Sequence, residues 1–267
     1  SPVAVIYAAG YSLWAVLMLL EAGAGRWRGR SLYGARDTLT NLAMYAGYFG
    51  INLFWVPVVF VIYSAVQAHS PFQLGIGGWH AGGGGRWWEW VLLFLLEDIC
   101  FYAFHRCSHR FRWLWAAHVT HHSSRHFNLS VALRQTWTPF VAIIFWLPLP
   151  WLGFDPLMVM TMQMISLFYQ LFLHTQLVPA LGPLEWVLNT PAHHRLHHAV
   201  NAPYVDRNFG GILIVWDRLF GTLAVPRADE VPCYGIRPDL QSYNPFTVAF
   251  HEWWRLLRQV RPPKESA

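Results

Sequence analysis

The chain has 267 residues, of which 55% are hydrophobic, 17% aromatic and only 12% charged, with a formal net charge of +5. Soluble domains carry about 25% charged residues, so the composition argues against an ordinary soluble helical core and for stretches of chain that face lipid. Eighteen arginines and one lysine, Lys264, supply the positive charge; they gather in loops beside apolar runs, which makes the charge an orientation signal and leaves no nucleic-acid footprint.

A bilayer core takes about 20 apolar residues of helix. Residues 3–20 and 42–66 are two such runs, each without a charge. A glycine-rich connector at 75–86, "GIGGWHAGGGGR", follows; no strand precedes it, so its glycines do not form a nucleotide-binding turn. The third run, 90–105, is interrupted by Glu97 and Asp98, and the fourth and fifth cover 137–154 and 156–184. Pro148 and Pro150 break the fourth, which makes this pair a candidate for a shallow hairpin. Four or five spans result.

The first loop holds Arg26, Arg28, Arg30 and Arg36, the second only Arg86, and the third run exits into Arg106, Arg110, Arg112, Arg125 and Arg134. The positive-inside rule then sets the N-terminus outside and the whole histidine-rich remainder on the cytoplasmic face. Residues 201–234 carry turn formers and a β-like "GGILIV", consistent with an irregular cytoplasmic cap. Near the end, Phe250, Trp253, Trp254 and Leu257 oppose Arg255, Arg258 and Arg261, the pattern of an amphipathic helix at the membrane surface, stopped by Pro262 and Pro263. The expected class is an all-α polytopic membrane bundle with a histidine-rich cap. Its parts are 1–86 (N-terminal transmembrane helices and outer loop), 87–234 (the histidine-bearing region) and 235–267 (the amphipathic helix and tail). Cys100, Cys107 and Cys233 suggest no disulfide framework and read as packing residues.

Fourteen histidines occur, and most fall at spacings with geometric meaning. "HRCSH" sets His105 and His109 at i, i+4, on one helix face with Cβ atoms about 5–6 Å apart. "HVTHH" gives His118, His121 and His122, and "HRLHH" gives His194, His197 and His198. In each trio the two adjacent rings diverge by about 100°, so one trio can serve two metals. Imidazoles massed this closely repel when protonated and need partners when neutral and buried; ligation of a metal answers both demands. His174, closing the fifth run on the same predicted face, is the ninth candidate ligand. His193 points away from the His194/His197/His198 face, His126 lies one turn after His122, and His69, His80 and His251 are isolated or far off in topology. Nine nitrogens exceed what one ion takes and fit two. Imidazole suits zinc, copper, iron and nickel alike, so donor type does not select the metal. Asp98, Asp206, Asn208 and Asp217 are candidates to support the ligands; Asp98, two turns before His105, is expected to orient an imidazole through its second N–H. Arg134 and Arg218 read as positive-inside residues, with contact to a lipid headgroup as the alternative.

The succession "HRCSH … HVTHH … HHRLHH", with "HHSSRHFNLSVALRQT" (121–136), "NTPAHHRLHHAVN" (189–201) and "YVDRNFGGILIVWDRLFGTL" (204–223), resembles the fatty acid hydroxylase / sterol desaturase superfamily of membrane di-iron oxygenases. It looks most like the branch containing alkylglycerol monooxygenase. The resemblance runs from about residue 97 to 234 and departs from that branch at His126. It implies two iron ions at the cytoplasmic face (positions that zinc can occupy in a purified protein), dioxygen as oxidant, and a lipid or other alkyl substrate entering from the bilayer. No flavin, nicotinamide or haem motif is present, so electrons come from outside. The branch is associated with tetrahydrobiopterin and other branches with haem-protein or ferredoxin-type donors. A desaturase on the same centre and a non-enzymatic membrane metal- or haem-binding protein are the competing readings. Transport would thread ionisable groups through several spans, whereas these histidines stop at one face.

Overall fold

The computed structural model describes residues 2–72 and 86–258, with side chains from residue 12 onward. The glycine-rich connector with His80, and the Pro262–Pro263 stop, therefore lie almost wholly outside the described residues.

Helix α1 spans Pro2–Trp27 and α2 spans Ala35–Ala68. Buried polar groups help to hold them to the rest of the molecule, beside apolar contacts from Trp14 of α1 and Tyr63 of α2. Glu21 on α1 accepts from Tyr33 Oη, Thr175 Oγ1 and the Leu129 backbone N–H. The buried side chains of α2 are mainly Asp37, Thr40, Asn41, Met44 and Tyr63, while Phe54 and Val61 stand 79% and 65% exposed. Among the described residues α2 alone is long and apolar enough to cross a membrane by length and composition.

Helix α3 (Trp87–Arg110) ends at a one-residue break, where Phe111 is extended at φ −108°, ψ 121°, and α4 (Arg112–His122) folds back beside it. The fourth predicted run forms a 3₁₀ segment, Pro139–Phe145, and a single turn, α5 (Pro148–Trp151). In the fifth, helix α6 spans Pro156–Leu171 and caps its start with the Asp155 carboxylate on Leu157 N–H; a 3₁₀ turn, Gly182–Trp186, overlaps the end of the run. At about 24 Å for 16 residues, α6 is shorter than a bilayer core of about 30 Å. Leu93, Leu149, Phe154, Met158 and Val159 pack where α3, α5 and α6 meet.

The cap is irregular. It holds two short helices, α7 (Pro191–His197) and α8 (Val215–Leu219). No strand occurs among the described residues; the β-like "GGILIV" makes one isolated bridge, Leu213 with Leu188, because no extended partner lies alongside. Helix α9 spans Pro245–Leu257. It buries Val248, Ala249 and Glu252 and packs on α4, where Thr120 Oγ1 donates to Val248 O at 3.1 Å. Trp254 and Leu257 face outward. The three cysteines are free.

Candidate metal centre

Five imidazoles form one group: His105 and His109 from α3, His118 and His122 from α4, and His197 from α7. Four form a second: His121, His174, His194 and His198. Within each group one ring nitrogen per residue lies within 4.8 Å of all the others. Helical phase makes the division. In both trios the i, i+4 pair serves one group and the intervening i+3 residue the other, so α4 gives 118/122 and 121 while α7 gives 197 and 194/198. The groups abut, with the His122 and His198 rings stacked at 4.3 Å.

The rings face one another through Nε2. His105–His118 and His118–His122 stand at 3.0 Å and His122–His197 at 3.1 Å; His121–His174, His174–His194 and His194–His198 stand at 3.1, 3.0 and 3.1 Å. Protons cannot satisfy this arrangement. His174 Nδ1 is 2.9 Å from Gln170 O, and His121 Nδ1 is 3.3 Å from Arg134 O. A carbonyl only accepts, so Nδ1 carries the hydrogen of each neutral ring and Nε2 presents a lone pair. His121 and His174 therefore aim lone pair at lone pair. His105 and His197 are fixed in the same tautomer by Phe209 O at 2.9 Å and Arg207 O at 2.8 Å. The rings do stay neutral: burial, then the neighbouring imidazoles, hold His118, His122, His194, His197 and His198 well below the ordinary histidine value, and burial takes His121 down to about 4. His109 is lowered by burial against the pull of Asp206, and its Nε2 is buried without a partner. Cations between these nitrogens fit. Two nitrogens bound at about 2.1 Å and 90° to one ion stand roughly 3.0 Å apart.

A single loop, 206–213, orients three rings of the first group. Asp206 Oδ1 lies 3.4 Å from His109 Nδ1, and the carbonyls of Arg207 and Phe209 take His197 and His105. Asp206 and Asn208 sit at φ +56° and +58°, a left-handed conformation that Asp and Asn tolerate better than most residues. Asp98 accepts from the backbone N–H groups of Ile212 and Leu213 and from Trp216 Nε1; Asp217 accepts from Phe209 N, Gly210 N and Thr222 Oγ1. A Cβ on Gly211 would meet Asp98 Oδ1 at 3.0 Å, which explains why the clamp closes on glycine.

Several expectations are corrected here. Asp98 touches no imidazole; it holds the loop whose carbonyl does. Asn208 likewise bonds backbone, at His193 O and Ala224 O. Arg134 is not a surface positive-inside residue: it is buried, with NH1 3.0 Å from Asp37 Oδ1 and 2.9 Å from Asn41 Oδ1, and its carbonyl serves His121. Arg218 hydrogen-bonds the carbonyls of Glu185 and Trp186. His193, His126, His69 and His251 join neither group; His126 packs against Gly34.

The profile of the fatty acid hydroxylase family matches residues 90–222. That stretch holds every imidazole of both groups. The chain belongs to the fatty acid hydroxylase family. Its relatives include alkylglycerol monooxygenase of Danio rerio, 46% identical over 61% of this chain and 36% of that protein, and of Homo sapiens, 41% identical over 61% and 36%. Ornithine lipid hydroxylase of Rhizobium tropici is 29% identical over 51% and 42%. The chain thus spans little more than a third of the length of the alkylglycerol monooxygenases it matches. No solved structure gives a significant match.

In this family member two cavities divide the nine rings between them. One, of about 270 Å³, has walls of Phe101, Phe104, Trp146 and Leu171 and reaches His105, His118, His121, His174 and His194. The other, of about 620 Å³, reaches His109, His122, His197 and His198 between Arg112, Arg237, Arg255 and Glu252. Sequence reasoning missed the backbone partners of the rings. It also missed Arg195, whose NH1 bonds Thr175 O and Val178 O and so ties the loop after His174 to α7. The left-handed-tolerant Asp206 and Asn208 next to Gly210–Gly211 were the available signal for the loop.

Proposed function

We propose that this chain is a membrane-bound non-haem di-iron oxygenase that uses dioxygen to hydroxylate an alkyl chain of a lipid-like substrate. The observation that carries the reading is the pair of all-imidazole groups whose facing lone pairs call for two cations. His105, His109, His118, His122 and His197 would hold one ion, and His121, His174, His194 and His198 the other. An iron pair would supply the redox chemistry that breaking an unactivated C–H bond requires and that acid–base side chains lack.

The chain's own residues do the rest. The carbonyls of Arg207, Phe209, Gln170 and Arg134 fix ring tautomers, and Asp206 supports His109. The aromatic cavity at Phe101 and Phe104 suits an alkyl chain and keeps water from it. The arginine-bearing cavity on the other rings suits the arrival of electrons from an external donor, either a reduced pterin such as tetrahydrobiopterin or a protein. Membership of the family and the lipid-modifying names of its relatives support a lipid substrate. The exposed apolar length of α2 and the arginine distribution support a chain anchored in the bilayer by four or five segments, with 87–234 carrying the metal centre on the cytoplasmic side and 235–267 forming an amphipathic interfacial helix and tail.

The test is metal analysis of the detergent-purified full chain, joined to lipid mass spectrometry of cells expressing wild type or His197→Ala. The variant is expected to lose metal and activity while staying folded in the membrane, and the wild-type product is expected to gain one oxygen. A product lighter by two hydrogens would mean desaturation at the same centre. Unchanged lipids would defeat the enzymatic reading.

A further inference from the structure

Gln163, Leu167 and Leu171 follow one another at i, i+4 and i+8 on α6 and so form a single stripe. All three line the apolar cavity that reaches His105, His121 and His174. Both ends of the stripe are covered. Gln163 Nε2 donates to Tyr63 Oη of α2 at 3.2 Å. Roughly 12 Å further along the axis, Leu171 packs on the cluster of Trp14, Leu129, Ala132 and Leu133. Leu167, midway between them, is 39% exposed, whereas each other residue lining the cavity is buried or half-buried. The cavity wall therefore reaches the outside of the molecule at Leu167. The surface around it is apolar: Met164, Ile165 and Phe168 all stand exposed, and α6 carries no charged residue.

An exposed apolar patch continuous with an apolar cavity marks a place where an apolar ligand enters. We propose that Leu167 stands at a lateral opening through which an alkyl chain slides from the hydrocarbon of the bilayer straight into the cavity beside the imidazoles. Every methylene drawn through water costs free energy, and a mouth set among Met164, Ile165 and Phe168 avoids that step. The other approach to the rings passes Arg112, Arg237, Arg255 and Glu252, groups that an alkyl chain would have to desolvate. The two cavities then separate the traffic: the chain arrives from the side at Leu167, and polar reactants arrive through the arginines. This rests on the apolar cavity being the alkyl site; it does not depend on the reaction performed there.

A removable plug tests it. The full chain, with its free thiols replaced through Cys100→Ala, Cys107→Ala and Cys233→Ser, is loaded with zinc and placed in phosphatidylcholine vesicles carrying hexadecanol with a mid-chain diazirine. Photolysis and peptide mass spectrometry read how much probe reaches Phe101 and Phe104. Leu167→Cys and Met164→Cys are each probed before and after reaction with benzyl methanethiosulfonate. The Leu167→Cys adduct is expected to abolish labelling inside the cavity, and dithiothreitol, which removes the benzyl group, to restore it. The Met164→Cys adduct, on the same apolar surface but off the cavity wall, should leave the labelling intact. Cavity labelling that survives the Leu167→Cys adduct, or that falls equally with the Met164→Cys adduct, overturns the proposal. A probe that never labels Phe101 or Phe104 in the unmodified chain removes the alkyl site and the opening together. The hydroxylase reading is decided separately, by the lipid products.

Discussion

At the scale of single residues, the centre depends on groups that never touch it. Arg134 is 1% exposed and reaches Asp37 on α2 and Ser123 Oγ at 3.1 Å, while its carbonyl sets the tautomer of His121. Removing one member of a buried pair strands the other charge, at a cost of about 3–5 kcal/mol, whereas replacing both with apolar residues is often far milder. Asp37→Leu alone should therefore lower stability by about that amount, and Asp37→Leu with Arg134→Met should recover much of it. Chemical unfolding of both variants in detergent decides this, and equal losses in the two would argue against the pair. Such partners could not be read from the chain. Asp37 and Arg134 are 97 positions apart, and Asp98 finds the 212–213 backbone 114 or more positions away. The histidines were legible because i, i+3 and i+4 spacing is a local property of one helix, complete within a single turn.

At the scale of elements, the same locality governed what could be foreseen. α1, α2 and α3 follow from long apolar runs, and the break in the fourth run follows from Pro148 and Pro150. The "GGILIV" segment looked like strand because its β-branched residues favour a pleated surface, but a strand needs a partner, and here the 206–213 backbone is held by Asp98 and Asp217. In α9 the stripe read from the sequence leaves Trp254 and Leu257 exposed. Val248 and Ala249, outside that stripe, are seated with Met44 of α2 behind the helix that bears three of the imidazoles. Val248→Asp would bury an unpaired carboxylate in that seam. It should detach α9 and lower both stability and metal content; limited proteolysis and metal analysis of the variant check this, and full metal content with α9 released would show that the seam does not support α4.

At the scale of the whole molecule, the imidazoles are gathered from α3, α4, the turn after α6, and α7 onto one end of the helices, with an apolar cavity on one side and an arginine-lined cavity on the other. The long helices α1 and α2 are tied down by buried polar groups, Glu21 and Asp37, and Phe54 and Val61 of α2 stand exposed. The central claim is that the nine rings hold two ions in two separable groups. It is tested most directly by the metal-to-protein ratio of the purified full chain reconstituted with ferrous iron, measured for wild type, His118→Ala and His121→Ala. The account predicts about two ions per wild-type chain and a fall toward one in each variant, with the two variants losing different ions. A wild-type chain that takes up one ion or none, or variants that still hold two, would contradict it.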